Sequence, residues 1–182
     1  TVTVKTGTVT MTKNTAVGDT TFVAPAYGRL LGSFNIQASA TEGSTLTNVE
    51  IDTTTADAFD MSDDVTNLYI KLGTYTSPIK PTVTDDDNNF SVNVALAAAQ
   101  SMMLEVYGDV ASTSTDGDAT ADTIVIEPDL TYTTVSSGTS TTTGAATGQT
   151  MTSSTGSLSI AKDGSSPLDR VVAGNQEVVA GI

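Results

Sequence analysis

Phe90-Ser91-Val92-Asn93-Val94-Ala95-Leu96 is the stretch that decides the fold class. Phe90, Val92, Val94 and Leu96 fall on every second residue, with Ser91 and Asn93 between them. A period of two puts these apolar side chains on one face of a strand and the polar ones on the other. Outward from this segment the same pattern recurs. Thr8-Val9-Thr10-Met11-Thr12 alternates, as do Phe34, Ile36 and Ala38 against Asn35 and Gln37. Val49 and Ile51 flank Glu50; Leu68, Ile70 and Leu72 alternate with Asn67, Tyr69 and Lys71; Met102, Leu104 and Val106 alternate with Met103, Glu105 and Tyr107. Glu42-Gly43-Ser44, Asp85-Asp86-Asp87-Asn88-Asn89 and Asp116-Gly117-Asp118 supply turn chemistry between them. Only Ala95 to Leu104 reads as helix, and since its neighbours alternate, residues 97–101 are expected to be a turn or one short helical turn. The fold expected is all-β, an antiparallel Ig-like or Greek-key β-sandwich over residues 1–132.

Composition agrees and narrows the function. The 182-residue chain is rich in Thr, whose branched Cβ suits a pleated surface better than a helix. It contains no Cys, His or Trp. That removes disulfides, thiolate chemistry, zinc-thiolate sites and the commonest general base. The net charge of −14 opposes binding to nucleic acid, which depends on Lys and Arg against phosphates, and to anionic membranes. Residues 41–130 carry 17 acidic residues against Lys71 and Lys80, whereas the two flanks together hold five basic and four acidic residues. No apolar run approaches the ~20 residues of a membrane-spanning helix. The chain opens directly on Thr1-Val2-Thr3-Val4 without a signal peptide, so a secreted protein would be seen here in processed form or as an excised piece. An extracellular or cell-surface location is expected.

Residues 133–156 differ in kind, being dominated by Thr, Ser, Gly and Ala, and are expected to form a linker or long exposed loop. Beyond them comes a repeat. Gly7-Thr8-Val9-Thr10-Met11-Thr12-Lys13-Asn14 returns as Gly156-Ser157-Leu158-Ser159-Ile160-Ala161-Lys162-Asp163, an offset of 149 residues. Without gaps, Phe22-Val23-Ala24 then matches Val171-Val172-Ala173, and Leu30-Leu31-Gly32 matches Val179-Ala180-Gly181. Thr1, Thr3 and Thr6 match Thr150, Thr152 and Thr155. Residues 157–182 thus read as a partial second repeat. Isolated strands cannot satisfy their backbone or cover their apolar face, so Leu158, Ile160, Val171, Val172, Val178, Ala180 and Ile182 need a sheet to join. That sheet belongs to the same chain, to a neighbouring copy by strand addition, or to the next unit of a tandem array. A head-to-tail homopolymer in which these residues form the polymer interface is the reading expected of the pattern, with a surface-layer or adhesin-stalk repeat as the alternative.

The segment Thr155-Gly156-Ser157-Leu158-Ser159-Ile160 followed by Val172-Ala173-Gly174-Asn175 resembles the opening of tandem β-sandwich repeats in large secreted bacterial surface proteins. The strands Leu31-Gly32-Ser33-Phe34-Asn35-Ile36-Gln37-Ala38, Phe90-Ser91-Val92-Asn93-Val94 and Leu104-Glu105-Val106-Tyr107-Gly108-Asp109-Val110 extend the resemblance. It implies a structural, non-catalytic role. The architectural analogy is to donor-strand filament subunits such as those of chaperone–usher pili, which donate an N-terminal strand where this chain's surplus is C-terminal.

Other chemistry is thin. Asp85, Asp86 and Asp87 offer the hard oxygen ligands that suit calcium, the one cofactor the residues suit, without EF-hand spacing; a solvated acidic turn is the plainer reading. Asp60-Met61-Ser62-Asp63-Asp64 and Asp116-Gly117-Asp118 are of the same sort. Asn89-Phe90-Ser91 is an N-glycosylation sequon. Glycoside hydrolysis needs a carboxylate pair, which abundance alone supplies, but substrate-binding aromatics are few. A carbohydrate-binding module is a further alternative on fold class, with the same shortage of aromatics against it. Lys13 and Asn14 with a nearby acid are the residue types of an intramolecular isopeptide crosslink. No enzyme activity is expected.

Overall fold

The computed structural model describes residues 6–54, 60–111 and 123–154. The alternating segments become strands, with the apolar residues of the alternation turned to the core. β1 (Val9–Lys13), β3 (Ala26–Ala38), β5 (Val65–Leu72), β6 (Tyr75–Thr76), β7 (Lys80–Thr82) and β9 (Ser101–Val110) form one sheet, in the order β1-β3-β9-β5-β6 with β7 also on β5. β2 (Thr20–Val23), β4 (Ser44–Thr53), β8 (Asn88–Leu96), β10 (Thr123–Thr134), β11 (Ser140–Thr143) and β12 (Thr150–Ser154) form the other, in the order β2-β12-β10-β4-β8 with β11 on β10. The protein is an all-β sandwich.

One face of each sheet is apolar, and the two faces meet. Phe34, Ile36, Leu68, Ile70, Leu104 and Val106 come from the first sheet, and Leu46, Val49, Ile51, Ile124, Ile126 and Leu130 from the second; all are fully buried. β-Bulges in β4 and β3, among other register shifts, depart from strict alternation. The register of β4 slips beside Thr47, so that Leu46 and Val49, three apart, both face inward. In β3 a slip between Leu30 and Gly32 does the same for Leu31 and Phe34.

The segment 97–100 is a turn, one of the two forms expected of it: Gln100 N–H donates to the Ala97 carbonyl, the Gln100 side chain accepts from Ala97 N–H, and Ala99 has φ +61°. Two expectations are corrected. The helix of the described residues is α1 (Met61–Asp64), inside the acidic stretch expected to be a turn. Asp60 caps it by accepting from the Ser62 N–H, and Met61 plugs the core beneath. Residues 133–154 are not a linker. They finish β10, build β11 and β12, and bury Gln149 and Met151. Hydroxyl-rich strands hold there because backbone pairing, rather than apolar area, ties them to β10. β12 also runs parallel to β2, from Met151↔Thr20 to Ser154↔Val23, so the second sheet is mixed.

Candidate functional site

Both ends of the sandwich are tied by polar side chains. At the entry, Gly7 N–H donates to Glu42 Oε1 at 2.8 Å, just before β1 begins. The same carboxylate accepts from Ser136 N–H at 2.7 Å, Ser137 N–H at 3.1 Å and Ser137 Oγ at 2.8 Å. Glu42 thus clips the first residues of the first sheet to the β10–β11 turn of the second. These donors, the Gly7 amide first, pull its pKa down to about 2. A side chain on Gly7 would collide with Glu42, because an added Cβ would fall against its Cγ.

Deeper in, the fully buried Gln149 bridges the segment before β12 to the β1–β2 connection. Its Oε1 accepts from Ser33 N–H at 2.9 Å, and its Nε2 donates to the carbonyls of Asn14 (2.9 Å), Ser33 (3.1 Å) and Val17 (3.3 Å). Asn14 Nδ2 donates to Ser33 Oγ at 3.0 Å. At the exit, Ala24 N–H donates to the Ser154 carbonyl at 3.1 Å and Ser154 Oγ to the Phe22 carbonyl at 3.0 Å.

On the outer face of the second sheet, carboxylates oppose carboxylates. Glu50 lies across from Asp129, and Asp52 from Glu127, with Asp86 and Asp87 of the turn before β8 alongside. Burial, then Asp52, Asp87 and Asp129, pushes the Glu50 pKa up; burial, then Asp86, Asp87 and Asp129, does the same for Asp52, against a bond from Asp87 N–H. Their folded-state pKa values therefore exceed the unfolded ones, and the stability they contribute is present below the ordinary carboxylate range and lost as pH rises through the lifted values. Melting temperature is expected to rise on acidification from neutral pH toward the ordinary carboxylate range. Glu50→Gln should raise the melting point at neutral pH and flatten that slope; a parent slope of opposite sign counts against the account.

The aspartates expected to suit calcium are tied into the turn before β8, Asp85 by its carboxylate and Asp86 and Asp87 by their backbone. Asp85 accepts from Ser62 N–H at 3.0 Å, the Asp86 carbonyl accepts from Thr84 Oγ1 at 2.6 Å, and Asp87 N–H is the donor to Asp52. Among the described residues no three carboxylates are grouped as metal ligands. Asn89 is exposed at the start of β8, where its amide oxygen accepts from Asn48 and its amide nitrogen donates to the Asp87 carbonyl. Lys13 points outward to Asp19 at 3.1 Å, while Asn14 is buried, so the two considered for a crosslink diverge. Tyr69 and Tyr107 stack on each other at 5.1 Å, and Lys71 lies over Tyr107 at 4.6 Å. Tyr107 thus has a ring partner and a cation against it, and Tyr69 a ring partner.

The interface residues Leu158, Ile160, Val171, Val172, Val178, Ala180 and Ile182 lie outside the described residues. Their counterparts at an offset of 149 are Val9, Met11, Phe22, Val23, Arg29, Leu31 and Ser33. Val9, Met11, Phe22, Leu31 and Ser33 are buried, whereas Val23 is exposed and Arg29 only half-buried. Among the described residues no helix is long and apolar enough to cross a membrane. No family model and no curated protein matches the chain. Among solved structures it is similar to the CooA pilin subunit from enterotoxigenic Escherichia coli, at 11% identity over 84% of this chain and 100% of that one, with a TM-score of 0.37. A likeness at that level says nothing of function, which rests on the chain's own residues.

Proposed function

We propose that the chain is a non-enzymatic structural unit of an extracellular head-to-tail assembly of like β-sandwiches, in which residues 157–182 supply strands to another unit. One observation carries this reading. Every position that the second copy matches is already filled in the described sandwich, by β1, β2 and the first half of β3. β3 is an interior strand between β1 and β9, so a second β3-like segment has no vacancy there. The copy has the right pattern for the fold and no equivalent place in its own domain. A second sandwich of the same kind is the surface it fits. The near-neutral charge of the flanks favours the contact, since it approaches an acidic body without added repulsion.

Vacating the place tests this. A chain reduced to residues 33–182 lacks β1, β2 and the opening of β3, while retaining the segment that matches them. It is expected to polymerise, each molecule's 156–181 filling the vacancy in the next, with filaments visible by electron microscopy. Residues 33–155 alone should form none. A variant 33–182 that stays monomeric, folded or not, overturns the proposal, because the copy then fails to complete a neighbour.

A further inference from the structure

We propose that Lys80 and Asn88 join through their side chains in an intramolecular amide bond that fastens one sheet of the sandwich to the other. The bond lies inside one unit, so it holds or fails separately from the way units assemble. Lys80 opens β7 in the first sheet, opposite Leu68 of β5. Asn88 opens β8 in the second sheet, opposite Ile51 of β4. Across the gap between the sheets, Lys80 Nζ donates to Asn88 Oδ1 at 3.5 Å. That is longer than an ordinary hydrogen bond, so the amine stands beside the amide without being tied up by it. The Phe90 ring lies under the same nitrogen, 5.9 Å away at its centroid, and no carboxylate pairs with it among the described residues.

The Asn88 amide is buried without solvent exposure and is held on every side. Its Oδ1 accepts from Thr84 N–H at 3.0 Å, and Thr84 Oγ1 lies 3.1 Å from it. Its Nδ2 donates to the carbonyls of Thr84 at 2.6 Å and Ile51 at 3.2 Å. An N–H can only donate and a carbonyl can only accept, so these neighbours settle which way the amide points. Oxygen is thereby set against donors, which is where negative charge gathers when an amine adds to an amide carbon. The Thr84 hydroxyl, also 2.6 Å from the Asp86 carbonyl, can turn to that oxygen as the charge develops. Confinement in one fold replaces a bimolecular collision of amine and amide.

In the step, the lone pair of the neutral Lys80 amine forms the Nζ–Cγ bond, and the carbonyl electrons move onto Oδ1. They return as the Cγ–Nδ2 bond breaks. Nδ2 takes up the proton that Nζ gives up and leaves as ammonia, so no oxidant, reductant or other reactant is consumed. Lys80 is half-buried, which lets a water carry that proton from one nitrogen to the other. The one hydrogen left on Nζ inherits a carbonyl acceptor from the departed amide nitrogen.

The test is mass spectrometry of the full chain. Its intact mass should fall short of the sequence mass by one ammonia. Asp85, Asp86 and Asp87 lie between the two residues, so a protease that cuts before aspartate opens the backbone there. In denaturant the fragments carrying Lys80 and Asn88 should stay together as one branched peptide. Lys80→Arg keeps the charge and, at a half-buried strand end, the fold, with circular dichroism as the check. It should restore the full mass and let the fragments separate. A parent chain of full sequence mass overturns the crosslink. So does a mass lower by one ammonia with separable fragments, since that is cyclisation of an asparagine onto its own backbone.

Discussion

Gln149→Leu is expected to destabilise the sandwich by about 3 kcal/mol, although the substitution makes a buried position more apolar. Leucine roughly fills the space, so the cost is not chiefly a cavity. It removes the acceptor for Ser33 N–H and the donor shared by three carbonyls. The carbonyls of Asn14 and Ser33 keep backbone donors, from Val17 N–H and Asn14 N–H. Ser33 N–H loses its side-chain acceptor at a site with no solvent exposure. A buried donor left unpaired costs roughly 1–3 kcal/mol, and the remaining bonds add to that. In a domain of this size the melting temperature should fall by about 6–12 °C. Thr147→Ala, whose hydroxyl reaches Glu127 on the surface, is the control and should shift it by no more than about 2 °C. A Gln149→Leu protein as stable as the parent would show that the buried amide does not bridge the sheets in solution.

Gln149 also marks where sequence reading stops. Phe34, Ile36, Leu68, Ile70, Phe90, Leu104 and Val106 announce themselves because strand periodicity is a local property, and each lies in a run long enough to show it. Residues 133–154 hide their strands because pairing to β10 is a long-range property, and the side chains there carry little apolar contrast. Met151, buried beneath β12, is a lone apolar residue among threonines and serines, and one residue has no period. The bulges at Thr47 and beyond Leu30 break the alternation that would have placed Leu46 and Leu31. Glu42 was legible as a turn marker only. Its role depends on Gly7, Ser136 and Ser137, which are 35, 94 and 95 residues away. For α1 a local signal did exist in Asp60, a good N-cap, but four residues cannot display a helical period. The internal repeat was visible in sequence; that its first copy fills its own places in the fold was not.

Removing residues 156–182 from the full chain is expected to leave the sandwich folded and abolish self-association. The fold should survive because both described sheets, the core between them, the Glu42 clip and the Gln149 bridge are built by residues up to Ser154. Association should vanish because the deleted segment holds Leu158, Ile160, Val171, Val172, Val178, Ala180 and Ile182, the apolar residues that match strands of this fold. Burying a Val, Leu or Ile is worth roughly 1.5–3 kcal/mol, so several together outweigh the ordering of a short strand segment at roughly 1–2 kcal/mol per residue only if backbone pairing is added. That requirement points to strand addition over loose hydrophobic contact. It also orders the variants by tendency to assemble. In the full chain an incoming copy must displace residues 7–32, which are fixed by β1 pairing from Val9↔Ala38 to Lys13↔Phe34 and by β3 in the middle of its sheet. Exchange should therefore be slow, with association growing over hours and with concentration. Residues 33–182, with the place vacant, should assemble without that barrier, and residues 1–155 should not assemble at all. Analytical ultracentrifugation of the three, with circular dichroism to confirm β-structure, reads the order directly. Continued assembly of folded 1–155 would move the joint to another surface, the edge of β8 first among them, since among the described residues that nine-residue strand pairs with β4 alone.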